Sequence, residues 1–161
     1  MPSITIEVDS ERVQSLLKQL SNACSPEGFA DTMKEIGEDL VYSTRQRFIT
    51  GTAPDGSKWE RLSDVTMAFR AKRGRRGSKP LIDTGTMQNS VSYSATSDGL
   101  TIGVNRQFGS NANAAVHQLG TDRAGRGRKV TIPARPFLGL SDNDIDGIER
   151  TIARVLGGRS T

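Results

Sequence analysis

Ser25-Pro26-Glu27-Gly28-Phe29-Ala30-Asp31-Thr32-Met33-Lys34-Glu35-Ile36-Gly37-Glu38-Asp39-Leu40-Val41-Tyr42-Ser43-Thr44-Arg45-Gln46-Arg47-Phe48 is the stretch on which the fold turns. It opens with a capping hydroxyl, a proline in the first turn and an acid beside the positive helix end. Phe29, Met33, Ile36, Leu40, Val41, Thr44 and Phe48 then recur at helical spacing, giving one apolar stripe along a helix over about 26–48. Gly37 sits on that side and permits a close crossing by another helix or a sheet. Gly51 ends the helix.

Working outward, Pro54-Asp55-Gly56 is a turn leading to Trp59. Trp59 reads as a core plug that folds the loop back onto the helix, with an anchor at a subunit interface as the alternative. Leu62, Val65, Met67 and Phe69 predict a short helix from Ser63-Asp64, and Asp83-Thr84 reads as the cap of a turn or two ending at Ser90. Val91–Ala95 and Leu100–Val104 flank Ser97-Asp98-Gly99, a hairpin signal. Upstream, residues 3–8 alternate as a strand, and Asp9-Ser10 caps a short helix carrying Val13, Leu16, Leu17 and Leu20. Downstream, 105–128 reads as loop apart from a His117-Gln118 turn, and Val130–Ile132 as a strand. Ser141-Asp142 caps a last helix over about 142–156, and residues 157–161 are expected to fray. The class is α+β in one domain, 1–161. A small, mainly antiparallel sheet (3–8, 91–95, 100–104, 129–132) is packed by the long helix and the C-terminal helix.

Hydrophobic residues make up 34% of the 161, aromatics 5%, and 17 are glycine. That is thin for a self-sufficient core and points to stability borrowed from neighbouring copies. One cysteine, Cys24, excludes an intrachain disulfide and any multi-cysteine metal site. No apolar run reaches the roughly 20 residues of a membrane span, and the N-terminus lacks the pattern of a signal peptide. The expectation is a soluble protein with no membrane partner.

Charge is unevenly placed. From Ala68 to Arg135 there are 12 Lys/Arg against 3 Asp/Glu, net +9, while the rest of the chain is net −5. Two basic segments account for most of the excess, about 70–80 (Arg70, Lys72, Arg73, Arg75, Arg76, Lys79) and, within 105–129, Arg123, Arg126, Arg128 and Lys129. Both read as mobile loops. They attract phosphate without base specificity, yet lack interleaved aromatics or a recognisable nucleic-acid motif. The plain reading is two solvated loops, and contact with protein ranks ahead of dedicated DNA binding.

Ile132-Pro133-Ala134-Arg135-Pro136-Phe137-Leu138-Gly139 is the other informative string. Two prolines three apart fix φ and remove two backbone donors, so the chain is extended here and outside any sheet or helix interior. It reads as an arm over 132–139 that delivers Phe137 and Leu138 either to a neighbouring subunit or to the chain's own core. Pro133, Arg135, Pro136, Phe137, Leu138 and Trp59 are the candidate oligomer or partner contacts. For chemistry there is little. His117 is the single histidine and reads as a structural side chain bonding a turn backbone. Asp83-Thr84-Gly85 has the letters of an aspartic-protease motif without the strands that would flank it. No catalytic, cofactor-binding or metal-ligating set emerges.

Taken in order, Gly51-Thr52-Ala53-Pro54-Asp55-Gly56-Ser57-Lys58-Trp59, Leu81-Ile82-Asp83-Thr84-Gly85-Thr86-Met87-Gln88-Asn89-Ser90, the hairpin, His117-Gln118-Leu119-Gly120 and the proline arm resemble the virion morphogenesis (tail completion) family of Mu-like tailed bacteriophages and prophages. Asn113-Ala114-Ala115-Val116 departs from an aromatic-alanine pair expected there. The resemblance implies a structural, non-enzymatic virion protein without cofactors. It implies a homo-oligomeric ring matching tail symmetry, a hexamer, which caps the tail and joins it to the head. The implied partners are its own copies, tail or head-completion proteins, and DNA passing transiently through the ring, with the two basic segments facing its lumen or an acidic face of a neighbouring ring. The implied location is the tail or neck of the virion, with assembly in the host cytoplasm. A nonspecific DNA-binding protein using the basic loops is the alternative.

Overall fold

A computed structural model describes residues 11–75, 77–104 and 114–157. The expected strand at 3–8, Arg76, the 105–113 part of the second basic loop and the tail after 157 lie outside the described residues. Among them run α1 (Glu11–Ala23), α2 (Pro26–Thr50), α3 (Asp64–Lys72), α4 (Thr86–Asn89), β1 (Val91–Thr96), β2 (Gly99–Val104), α5 (Ala114–Leu119), β3 (Thr121–Ala124), β4 (Val130–Ile132) and α6 (Asp142–Gly157). The class is α+β, with the long helix packed against an antiparallel hairpin and α6 beside it.

The ends of α2 follow from local chemistry. Ser25 Oγ accepts from Gly28 N at 3.2 Å. Gly51 adopts φ 67° and donates its N–H to Arg47 O, the left-handed stop that glycine takes without a Cβ clash. Across α2 lies the β1–β2 hairpin, in register Val91↔Val104, Tyr93↔Ile102 and Ala95↔Leu100. Tyr93 crosses α2 at Gly37, where a Cβ would sit 2.5 Å from the tyrosine ring. The glycine read from the sequence as a crossing point is one.

Two cores share this frame. Val13, Leu20, Phe29, Met33, Ile36, Leu40, Ile148 and Ile152 join α1, the first half of α2 and α6. Phe48, Ala53, Trp59, Met87, Val91, Val104, Ala114, Phe137 and Leu138 form the second, at the far end of α2. Ile102 packs against both.

The single expected sheet is divided. β4 pairs with β3 in a separate ribbon, Thr121↔Ile132 and Ala124↔Val130, while β1 and β2 form their own. β3 and α5 both fall in a stretch read as loop, and the His117-Gln118 turn is the last part of α5. The glycines that marked this stretch as irregular sit at its bends instead. Gly120 (φ 75°) turns the chain from α5 into β3, and Gly125 (φ 77°) opens the hairpin tip. The cap of α4 also differs. Gly85 (φ 74°) is the N-cap, without a side-chain bond, because Asp83 is held by arginines.

Candidate functional site

The chain around the proline arm is organised by side chains that bond to backbone. Gln118, buried on α5, accepts at Oε1 from the N–H groups of Phe137 and Leu138, both at 3.0 Å, and donates through Nε2 to Leu138 O at 3.0 Å. One amide thus does for the arm what a neighbouring strand does in a sheet. Arg135 N donates to His117 O at 2.7 Å, and a Cβ at Gly120 would lie 2.7 Å from Ala134 N, so the arm lies directly on the end of α5. From the other side, Arg47 Nη1 donates to Phe137 O (3.0 Å) and Gly139 O (2.9 Å). Its Nη2 pairs with the buried Asp144 carboxylate. Asp144 in turn accepts from Ser141 N and Oγ, and Ser141 Oγ accepts from Asp144 N, a reciprocal cap that starts α6. Burial lowers the pKa of the Arg47 guanidinium, and Asp144 opposes that shift.

The arm therefore points inward. Phe137 is 0% exposed and tilted against Phe48 with ring centroids 5.2 Å apart, and Leu138 is buried beside it. This is the second of the two expected arrangements, and it leaves neither side chain available to a neighbour. The prolines deliver an aromatic, as read, but into their own core; Pro133 and Pro136 are half-buried. Trp59 is the core plug, edge-on to Phe48 at 5.7 Å, with its indole N–H donating to Pro136 O at 2.8 Å. Arg135 is buried, donating from Nε to Glu60 O (2.8 Å) and from Nη2 to Arg61 O (3.0 Å).

The first basic segment is likewise better structured than its composition implies. Arg70 closes α3 and is buried, with Nη1 2.9–3.0 Å from the carbonyls of Gly77, Lys79 and Ile82. It cannot face an anion because it already holds the loop that follows it. Arg75 pairs with Asp83, and Lys79 Nζ donates to Ile49 O. Lys72 is exposed, and Arg73 lies over the Phe69 ring, 4.1 Å from its centroid. On the β3–β4 ribbon, Arg123 faces Asp122 at 3.8 Å, while Arg126, Arg128 and Lys129 are exposed around the tip. The structure does not gather these cations into one site.

Between α3, the 81–87 turn and the start of the arm runs an open groove of about 1060 Å³. Phe69, Leu81, Met87 and Val130 line it, with the Arg70 and Arg135 side chains in its wall. His117 also faces it. Burial first, and the nearby Arg135 charge second, hold the imidazole pKa below its ordinary 6.5. Its Nδ1 has no hydrogen-bond partner among the described residues, so this nitrogen does not make the bond to a turn backbone expected of one of the two.

Sequence reasoning passed over Arg47, Gln118 and Asp144. A signal was present for Arg47: it lies seven residues after Leu40 and three after Thr44, so a guanidinium stands on the buried stripe of α2. Gln118 gave no sign beyond its place in the His-Gln turn.

A small α+β frame, its Arg47, Arg70, Gln118 and Arg135 side chains committed to its own backbone and its open faces apolar and basic, describes a protein of contacts. The chain belongs to the phage virion morphogenesis family, whose profile matches residues 8–157. It is 32% identical to the Mu-like prophage FluMu G protein 2 of Haemophilus influenzae, over 88% of this chain and 87% of that one. It is 27% identical to the putative capsid assembly protein G of Escherichia phage Mu, over 95% and 96%. To the tail completion protein S of Escherichia phage P2 it is 29% identical, over 88% and 93%. No solved structure matches the chain. Among the described residues no helix is long and apolar enough to cross a membrane, and no group of His, Cys, Asp and Glu could hold a metal ion.

Proposed function

We propose that this protein is a structural, non-enzymatic component of a bacteriophage or prophage tail, which completes the tail by forming a homo-oligomeric ring at its head-proximal end. The observation that carries this reading is the similarity, along nearly the whole chain, to proteins named for tail completion and capsid assembly. The side-chain chemistry supports it. The groups that in an enzyme converge on a reactant here converge on carbonyls: Arg47 on Phe137 and Gly139, Arg70 on the 77–82 loop, Arg135 on residues 60 and 61. They stiffen irregular segments so that surfaces keep their shape for a neighbour. A ring of six copies suits tail symmetry, with head or tail proteins above and below and the protein carried in the tail or neck of the virion. Arg126, Arg128 and Lys129, exposed at the hairpin tip, face the lumen and meet DNA passing through it; Arg123 stands beside them.

The test is electron microscopy of particles from a lysogen deleted for this gene. Unjoined heads beside free tails, restored to virions when the gene is supplied, are expected. Complete infectious virions without the gene overturn the reading. A nonspecific DNA-binding protein is the second reading, favoured by the same hairpin tip. Duplex retention of the wild-type protein that collapses as salt is raised, in a protein that never oligomerises, would move the assignment there.

A further inference from the structure

The groove beside α3 is open among the described residues, and its surface is mixed in a particular way. Phe69 of α3 lines it, 53% exposed, with Val65 one turn back on that helix 80% exposed, and Val130 stands exposed across the groove on β4. Apolar side chains grouped this way on a monomer mark a contact surface. Arg61, Arg70 and Arg135 line the groove and Arg73 lies over the Phe69 ring, against Glu60, Asp64 and Asp83 in the same lining, so the rim is basic by one charge.

The complement lies elsewhere in the same chain. Glu35, Glu38, Asp39 and Tyr42 occupy positions i, i+3, i+4 and i+7 of α2 and so share one face. Tyr42 is 67% exposed, and Asp142 and Asp146 at the start of α6 are exposed as well. Glu35 pairs with Arg154, and Arg150 borders the cleft beside Tyr42. Glu38, Asp39, Asp142 and Asp146 form no ion pair among the described residues.

We propose that the groove beside α3 receives the α2 face around Tyr42 of a second copy of this chain, head to tail. An exposed aromatic beside Glu38 and Asp39 on one helix face fits an apolar floor with a basic rim. The two surfaces share no residue, so each subunit offers one and accepts the other, and the contact propagates until the rotation closes a ring. This rests on the ring reading above and gives it an interface.

The experiment is native mass by sedimentation across concentration, using the full chain as wild type, Phe69→Asp, Tyr42→Asp and an equimolar mixture of the two variants. Wild type is expected to assemble, and each variant to need at least about tenfold more protein to do so. The mixture should stop at a dimer with one copy of each, because that pair keeps one intact groove and one intact α2 face. Arg73→Glu and Asp39→Lys provide a second pair of variants on the same two faces, should either aspartate disturb folding by circular dichroism. Variants that assemble like wild type overturn this interface and leave the ring standing. A mixture that stays monomeric overturns the head-to-tail pairing. Wild type that is monomeric throughout overturns both the interface and the ring, and gives the groove to a different protein.

Discussion

Arg47 reaches from α2 to carbonyls some ninety residues away and to the carboxylate that starts α6. A buried guanidinium has five donors and no acceptor, so it is satisfied best where the chain presents several carbonyls without a sheet to take them. Phe137 and Gly139 do this because they lie between β4 and α6, in no strand or helix. Arg47→Met removes those bonds and leaves Asp144 buried without its counter-charge, at a cost of about 3–5 kcal/mol in urea unfolding at pH 7. Adding Asp144→Leu to that variant should restore a good part of the loss, since the stranded charge is gone. A single-variant loss under about 1 kcal/mol, as for an exposed pair, would mean that the cradle does not hold the arm. His117 gives a second residue-scale expectation. Its folded pKa lies below the ordinary 6.5, so as pH falls through 6.5 the unfolded chain takes up a proton that the folded chain refuses. Stability is therefore lost from pH 6.5 down to the folded value and loses nothing further from this group below it. Melting temperatures between pH 7.5 and 5 should show that decline in the wild type and a shallower one in His117→Gln; parallel curves would remove the imidazole as its source.

Elements show where pattern suffices. The cap, proline and stripe of α2 placed that helix to within two residues of its end, because each signal acts through neighbours three or four positions away. Gly37 was legible as a crossing point, though not its partner. A Cβ there meets the Tyr93 ring at 2.5 Å, and whether hairpin or helix crosses is decided by residues far along the chain. Gly37→Ala is therefore expected to destabilise the wild type by about 1–3 kcal/mol through overpacking. In a Tyr93→Ala background the clash is gone, and the same change should stabilise by up to about 1 kcal/mol through helix propensity. A thermal-melt cycle over the four proteins checks the change of sign, and additive effects would mean that ring and helix do not touch. The proline arm shows the limit of pattern. A rigid extended segment carrying Phe137 and Leu138 reads the same whether its target is a neighbour or its own core. The structure places Phe137 against Phe48 and Trp59, and Phe137→Ala should cost about 3–5 kcal/mol as a core truncation. Likewise β3 and α5 hid in a glycine-rich stretch, since four- and six-residue elements held by tertiary bonds have little local signal of their own.

At the scale of the whole molecule, the sequence displayed the charge split but not how much of it is available. Arg70 and Arg135 are buried on carbonyls and Arg75 is paired, so among the described residues of the basic segment the cations that remain open are those beside α3 and at the β3–β4 tip. These two groups are assigned different work, and salt with substitution separates them. If the α3 rim meets the acidic α2 face of another copy, raising ionic strength from about 0.01 M to about 1 M shortens the screening length from about 30 Å to about 3 Å. The concentration at half-assembly should then rise several-fold. Replacing Arg126, Arg128 and Lys129 by alanine should leave that midpoint and its salt dependence unchanged, because the tip lies outside the proposed contact. The same triple variant should retain less duplex DNA at low salt, with a salt slope shallower by about one for each phosphate contact removed. Should the tip variant instead abolish assembly, the hairpin belongs to the subunit contact and the lumen assignment fails. If assembly ignores salt while DNA retention does not, the charge split serves the nucleic acid, and self-association rests on Phe69 and Tyr42 as apolar contacts alone.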